Sequence, residues 1–397
     1  MIRISKIGWR SPATLAVVAT TALALSACGQ GEGVGPGSSP AIPERAATQD
    51  TAAVATEEAT VSGPAQGRAV VGGTVWVANA EGDSLNALDA ATGKVVTTVA
   101  GLESPHNVQV SPDGSTVWAV SGHNNALVAL DAATYELRGT APTGASPAHV
   151  VVTPDGESVY VTNAGDDTLS VYDAASLELR ATIDLGEGPH GLRPSPDGSV
   201  VVVANTTAGA IDIVDTATNE VAASIPVGDS PPQVAVSADG RYAYVTLSGS
   251  SSVAKVDLVE QQVVGSAAVP APPVQLYLTM DGTRLLSADQ GTDDAPGTTV
   301  TVIDPESMTV ASTVQAGSGP HGVVIEPTGQ RAWVTNLYDD TVSVIDLTEN
   351  ASVATVTVGD KPNGISYSPL PPAPGPVTVE ISVPEYATST VGSHDEH

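Results

Sequence analysis

The sequence predicts an all-β fold in which seven like units close into a ring, and three observations predict it. An aspartate closes a hydrophobic run at Asp89, Asp131, Asp173, Asp215, Asp257, Asp304 and Asp346; five of the six intervals are 42 residues and one is 47. A proline keeps the same beat at Pro105, Pro147, Pro189, Pro231, Pro273, Pro320 and Pro362. Turn residues then divide each unit into four runs that are rich in β-branched residues and too short for helices. A period near 42 with four strands per unit is the size of one blade of a circular all-β protein. Residues 69–369 are therefore expected to form a seven-bladed β-propeller of four-stranded antiparallel blades.

Ahead of the ring, residues 1–28 carry Arg3, Lys6 and Arg10 before an apolar run from Ala13 to Leu25, the plan of a secretory signal. The run ends in Leu25-Ser26-Ala27-Cys28, which resembles the bacterial lipobox. That resemblance implies a diacylglycerol on Cys28, attachment to the membrane through the N-terminal lipid, and a place on the extracytoplasmic face of a bacterial cell envelope. Cys28 is the single cysteine, so no intrachain disulfide can form. Residues 29–68 are Gly, Pro, Ser, Ala, Thr and Glu with almost no large apolar side chain, and are expected to be a disordered tether. About 40 flexible residues reach roughly 35 Å.

The unit from Pro147 to Gly188 shows the strands. The first run, near His149 to Thr153, stops at the turn Pro154-Asp155-Gly156; the second is Val159 to Asn163. After Ala164-Gly165-Asp166-Asp167 the third alternates from Thr168 to Tyr172, Asp173 opens a turn, and the fourth runs from Glu178 to Asp184. The second run recurs as Trp76-Val77-Ala78-Asn79, Val202-Val203-Ala204-Asn205, Tyr244-Val245-Thr246-Leu247 and Trp333-Val334-Thr335-Asn336, and weakest as Leu286-Ser287-Ala288-Asp289. Tyr160-Val161-Thr162-Asn163 itself resembles the namesake run of the YVTN β-propeller repeat family. The resemblance implies a propeller outside the cytoplasm without implying one activity, since related propellers serve as surface proteins, binding scaffolds and domains of redox or lactone-cleaving enzymes.

Closure is also legible. The first unit lacks an inner strand before Thr74, whereas Pro362 to Ser368 reads as an inner strand with no successor. Pairing the two removes two exposed edges. Residues 370–397 form a proline-rich tail in which Val377 to Val383 alternates like a strand that adds to an outer edge.

Charge excludes some partners. Forty-four acidic residues against 14 basic ones give a formal charge of −30, and losing Arg3, Lys6 and Arg10 with the leader takes it to about −33. Such a surface repels nucleic acid. The partner is expected to be an unidentified protein or small-molecule ligand, and the chain a monomer.

The seven beat aspartates read as turn formers whose side chains bond their own backbone. Gly82-Asp83-Ser84-Leu85 spells a hydrolase signature but falls, in register, in a loop between strands two and three. The histidines break the beat. His106, His190 and His321 each follow the repeat's proline and His149 comes one residue later in its unit; Asn107, Gln233, Gln275 and Asn363 occupy neighbouring positions, with Arg193 shortly after His190. These residues are expected to encircle one mouth of the central channel, beside loops carrying Glu81, Asp83, Asp166, Asp167, Asp339 and Asp340 and the five-residue insertion around Asp293 and Asp294. His106, His149 and His190, from three consecutive units, are the candidate ligands for a divalent metal, the one cofactor suggested. No catalytic residue is assigned. The leading expectation is a lipid-anchored binding or interaction scaffold working through this mouth. The alternatives are a lactonase-like hydrolase and a metal-binding protein using the same rim.

Overall fold

The structure is a computed structural model and describes residues 71–387. The leader, Cys28, the tether and the terminal histidines fall outside the described residues. Within the described residues the chain forms seven sheets around a central channel, four antiparallel strands to a blade. The blade read most closely from sequence has strands Pro147–Val152, Ser158–Asn163, Thr168–Asp173 and Leu179–Asp184. Counting from the blade that holds Thr74, this is blade three.

The ring closes through its two ends. Pro362–Ser368 lies antiparallel against Thr74–Asn79 as the inner strand of blade one, with Thr74 opposite Ser368 and Trp76 opposite Ser366. The inner strands of the next blades are Pro105–Val110, Pro147–Val152, Pro189–Pro194, Val234–Val236, Leu276–Leu278 and Pro320–Ile325. Those of blades five and six are cut to three residues because Pro231-Pro232 and Pro272-Pro273 offer no N–H to a ladder. Among the described residues of the tail only Thr378–Glu380 forms a ladder, parallel to the outer strand Lys94–Ala100 of blade one.

Most of the core lies between blades. Trp118, Val150, Val161 and Tyr172 form one such layer between blades two and three. The YVTN-type run explains why neighbouring blades stay in register. Thr162 accepts the His149 N–H (3.0 Å) in its own blade and donates to the His190 carbonyl (2.6 Å) in the next. Thr246 and Thr335 repeat the bridge, to the carbonyls of Val274 and Asn363. Asn163 fixes the end of the strand, donating to Thr168 and Ser170 while its oxygen accepts Gly144 N–H.

All seven beat aspartates are turn residues. In each, Oδ1 accepts the N–H groups two and three residues on, as Asp89 does from Ala91 (2.9 Å) and Thr92 (2.8 Å). The same pair of bonds recurs at the other six. Ser84, the serine of the apparent hydrolase signature, is buried and accepts a bond from Asn79 Nδ2 (3.2 Å).

Candidate functional site

The channel wall is made by the inner strands, and the two residues after each beat proline, the second and third positions of the repeat, stand beside it in every blade, ahead of the shortened strands in blades five and six. At the second position stand His106, Ala148, His190, Pro232, Val274, His321 and Asn363 in successive blades; at the third stand Asn107, His149, Gly191, Gln233, Gln275, Gly322 and Gly364. Glycine at two of these places has a steric reason. A Cβ on Gly191 would fall 2.3 Å from Gln233 Oε1, and one on Gly322 would fall 2.3 Å from the Asn363 carbonyl oxygen.

The imidazoles converge. Ring centroids are 4.6 Å apart for His149 and His190, 5.0 Å for His106 and His190, and 5.3 Å for His106 and His149; His321 is 6.3 Å from His106. One ligand nitrogen from each of His106, His149 and His190 can be chosen so that all lie within 4.8 Å of one another. The second-position histidines are oriented by a repeated contact. Nδ1 of His106 meets the Ala148 carbonyl (3.1 Å), that of His190 meets the Pro232 carbonyl (2.8 Å), and that of His321 meets the Asn363 carbonyl (3.1 Å), each acceptor standing 42 residues on in the next blade. A carbonyl only accepts, so Nδ1 carries the proton and Nε2 carries the lone pair. His149 is held differently: its Nδ1 lies 3.5 Å from Gln233 Nε2, and its buried Nε2 has no hydrogen-bond partner.

Burial keeps these rings neutral. It holds His106 down at about 3, helped by His190 and His321, and His321 at about 4, helped by His190. His149 is pushed well below the ordinary histidine value by burial first and then by His190, His106, Arg193 and His321; burial lowers His190 as well.

The remaining predicted residues divide. Asn107 is buried and accepts Val150 N–H (3.3 Å); Gln233 Oε1 accepts Val234 N–H (2.9 Å); Asn363 Oδ1 accepts Gly364 N–H (2.7 Å). Gln275 is buried with its Nε2 unpartnered. Arg193 is not on the mouth with the histidines. It is the fifth residue of its strand, three beyond His190, and lines cavities with residues of the opposite face. A strand advances about 3.3 Å per residue, which accounts for the separation.

The acidic loops do surround the histidine-side mouth, but several of their carboxylates hold backbone. Oδ1 of Asp83, Asp167 and Asp340 accepts the N–H of Ser104, Gly188 and Lys361, each just before a beat proline and at positive φ. Asp339 Oδ2 accepts Ser318 N–H (2.6 Å). The inserted loop docks on blade seven, where Tyr338 donates its hydroxyl to Asp293. His123 stands exposed on this rim.

Sequence reasoning missed Tyr277 and Tyr367, which line cavities with Arg193. Each occupies an inner strand near its far end, and each is the one aromatic among the seven residues at its repeat position, which is the signal the sequence offers.

No curated protein matches the chain in sequence. Among solved structures, it is similar to hydrazine synthase of Kuenenia stuttgartiensis, at 25% identity and TM-score 0.62 over 70% of this chain and 93% of that one. A functionally unknown protein of Desulfotomaculum acetoxidans gives 15% identity and TM-score 0.64, over 74% and 98%. A presumed 6-phosphogluconolactonase of Bacteroides fragilis gives 16% and 0.65, over 75% and 98%. The last two show the fold alone. Residues 113–284 match the YNCE-like beta-propeller family, and this match, together with seven four-stranded blades, supports a propeller of the YVTN type.

Proposed function

We propose that this protein is a lipid-anchored, extracytoplasmic binding protein that holds a divalent transition-metal ion in its channel through His106, His149 and His190. The observation that carries the reading is the convergence of three imidazoles whose ligand nitrogens lie within 4.8 Å of one another. For His106 and His190 the tautomer is already set, with Nδ1–H on a backbone carbonyl and Nε2 free to ligate, the arrangement common to metal-bound histidines. The unpartnered Nε2 of His149 is an orphan polar atom of the kind a bound ion satisfies. Nitrogen donors select zinc, copper or nickel over calcium and magnesium. Tetrahedral ligation at about 2.05 Å spaces donors about 3.3 Å apart, so the rings close slightly around the ion.

A second reading is a lactonase-like hydrolase. Three neutral imidazoles that leave a ligand position open are the protein share of many hydrolytic metal centres, and Arg193 lies close enough to influence His149. When bound, the metal would supply Lewis acidity; the chain's own residues orient it and exclude bulk water.

Metal analysis of tag-free mature protein is expected to find one equivalent of zinc or copper, lost in the triple variant H106A/H149A/H190A. No stoichiometric metal, or metal retained by that variant, would overturn the proposal. Lactone hydrolysis that appears only with metal would select the second reading.

A further inference from the structure

Two adjoining cavities, of about 450 and 210 Å³, share Arg193, Pro194, Tyr277 and Tyr367. The larger is also lined by Pro196, Ala238 and Pro327, which belong to turns between first and second strands. It therefore opens on the face opposite the histidine-side mouth, and the smaller one continues it into the channel. Its volume suits one small organic molecule.

The cation in this passage is unpaired. Arg193 Nη1 donates to the Leu192 carbonyl (3.0 Å), and among the described residues no carboxylate forms an ion pair with the guanidinium. Four of its five N–H donors remain for another partner. Glu326, on the cavity wall, is not that partner: its carboxylate accepts Thr328 N–H and Oγ1–H, Gln330 N–H and Arg331 N–H within its own turn. In a chain of formal charge −30, a channel arginine without a carboxylate is an exception to the general balance. Burial lowers its pKa, as desolvation of an unmatched charge does. Around it the wall is apolar or aromatic, with Ala235, Leu276 and Ile325 beside Tyr277 and Tyr367.

We propose that this mouth is a second binding site, separate from the histidines, for a small monocarboxylate with an apolar body. The carboxylate pairs with Arg193 in the bidentate geometry a guanidinium favours. The body fills the cavity against Tyr277, Leu276 and Ile325. An inorganic anion satisfies only the first of these contacts.

Calorimetric titration of chelator-treated, metal-free protein with benzoate tests this without any contribution from a metal. Saturable one-to-one binding is expected, weakened at least tenfold in R193Q and less in R193K, which keeps the charge but loses the bidentate fork. Ala238→Trp, at an exposed turn on the cavity wall, narrows the mouth without touching Arg193 and is expected to weaken benzoate as well. Absence of saturable binding, benzoate affinity unchanged in folded R193Q or in A238W, or inorganic phosphate bound as tightly as benzoate would each overturn the proposal. Because these variants leave the three metal-site histidines intact, failure here is distinct from failure of the metal site.

Discussion

At the scale of single residues, Asp289 shows how a departure from the repeat becomes an energetic fact. In blades three and seven the equivalent residue is an asparagine whose oxygen accepts a backbone N–H 19 residues earlier: Gly144 for Asn163 and Gly317 for Asn336. Nineteen residues before Asp289 stands Pro270, which has no N–H. Instead the carboxylate accepts three hydroxyls, from Ser287, Thr299 and Thr301. Burial outweighs them and raises Asp289 from 3.8 to about 6. Between those values the folded chain holds a proton the unfolded chain has released, so stability falls as pH rises through the window, and the cost is complete above it. Two units correspond to about 3 kcal/mol. D289N removes the charge and restores a donor to the hydroxyls; it is expected to raise stability by about 1–2 kcal/mol at pH 8 and to change little at pH 4, as read by urea denaturation at both. A stability gain at pH 4 equal to that at pH 8 would refute the buried-charge account. The candidate site was legible to a similar depth: the histidines stood out because they broke the beat. What the sequence did not carry was the contact from each second-position Nδ1 to a carbonyl 42 residues on, because that contact exists only once neighbouring blades are stacked.

At the scale of elements, the two ends of the chain do different work. Pro362–Ser368 supplies the inner strand of blade one, and its role could be read beforehand because the first unit lacked one and the seventh had one to spare. The tail was legible only as an alternating run. Alternation says that a segment suits a sheet edge but not which edge, and the choice depends on what the far side of the run meets. Here Ala373, Val379, Ile381, Val383 and Tyr386 cover the core of blades one and two, while Tyr135 donates its hydroxyl to the Ala373 carbonyl (2.7 Å) and Asn124 Nδ2 to that of Val383 (3.3 Å). Partial burial of five apolar side chains is worth about 2–5 kcal/mol. Truncation after Leu370 is therefore expected to leave a folded ring with stability lower by about that amount, whereas truncation after Gly359 leaves Thr74–Asn79 without an inner partner and yields no cooperative unfolding transition. Circular dichroism through a urea series separates the two. A ring that melts normally without Pro362–Ser368 would show that closure is dispensable.

At the scale of the whole molecule, the acidic surface and the neutral channel act on different steps of the proposed metal binding. A formal charge of −30 attracts cations over the range of the Debye length, about 10 Å at 0.1 M salt and 3 Å at 1 M. The loop carboxylates of Asp83, Asp167, Asp339 and Asp340 are occupied by backbone N–H groups. They contribute to this field without ligating. The imidazoles are uncharged, so the bonds that retain an ion depend little on salt. Raising ionic strength from about 0.02 to 0.5 M is therefore expected to slow association of zinc or copper by roughly tenfold while leaving dissociation nearly unchanged, a division typical of steering. Stopped-flow measurements on the metal-free protein read both rates. The same field opposes an anion, so benzoate association is expected to quicken over the same salt range. If the two ligands respond to salt in the same direction, the global charge is not what governs entry to either mouth.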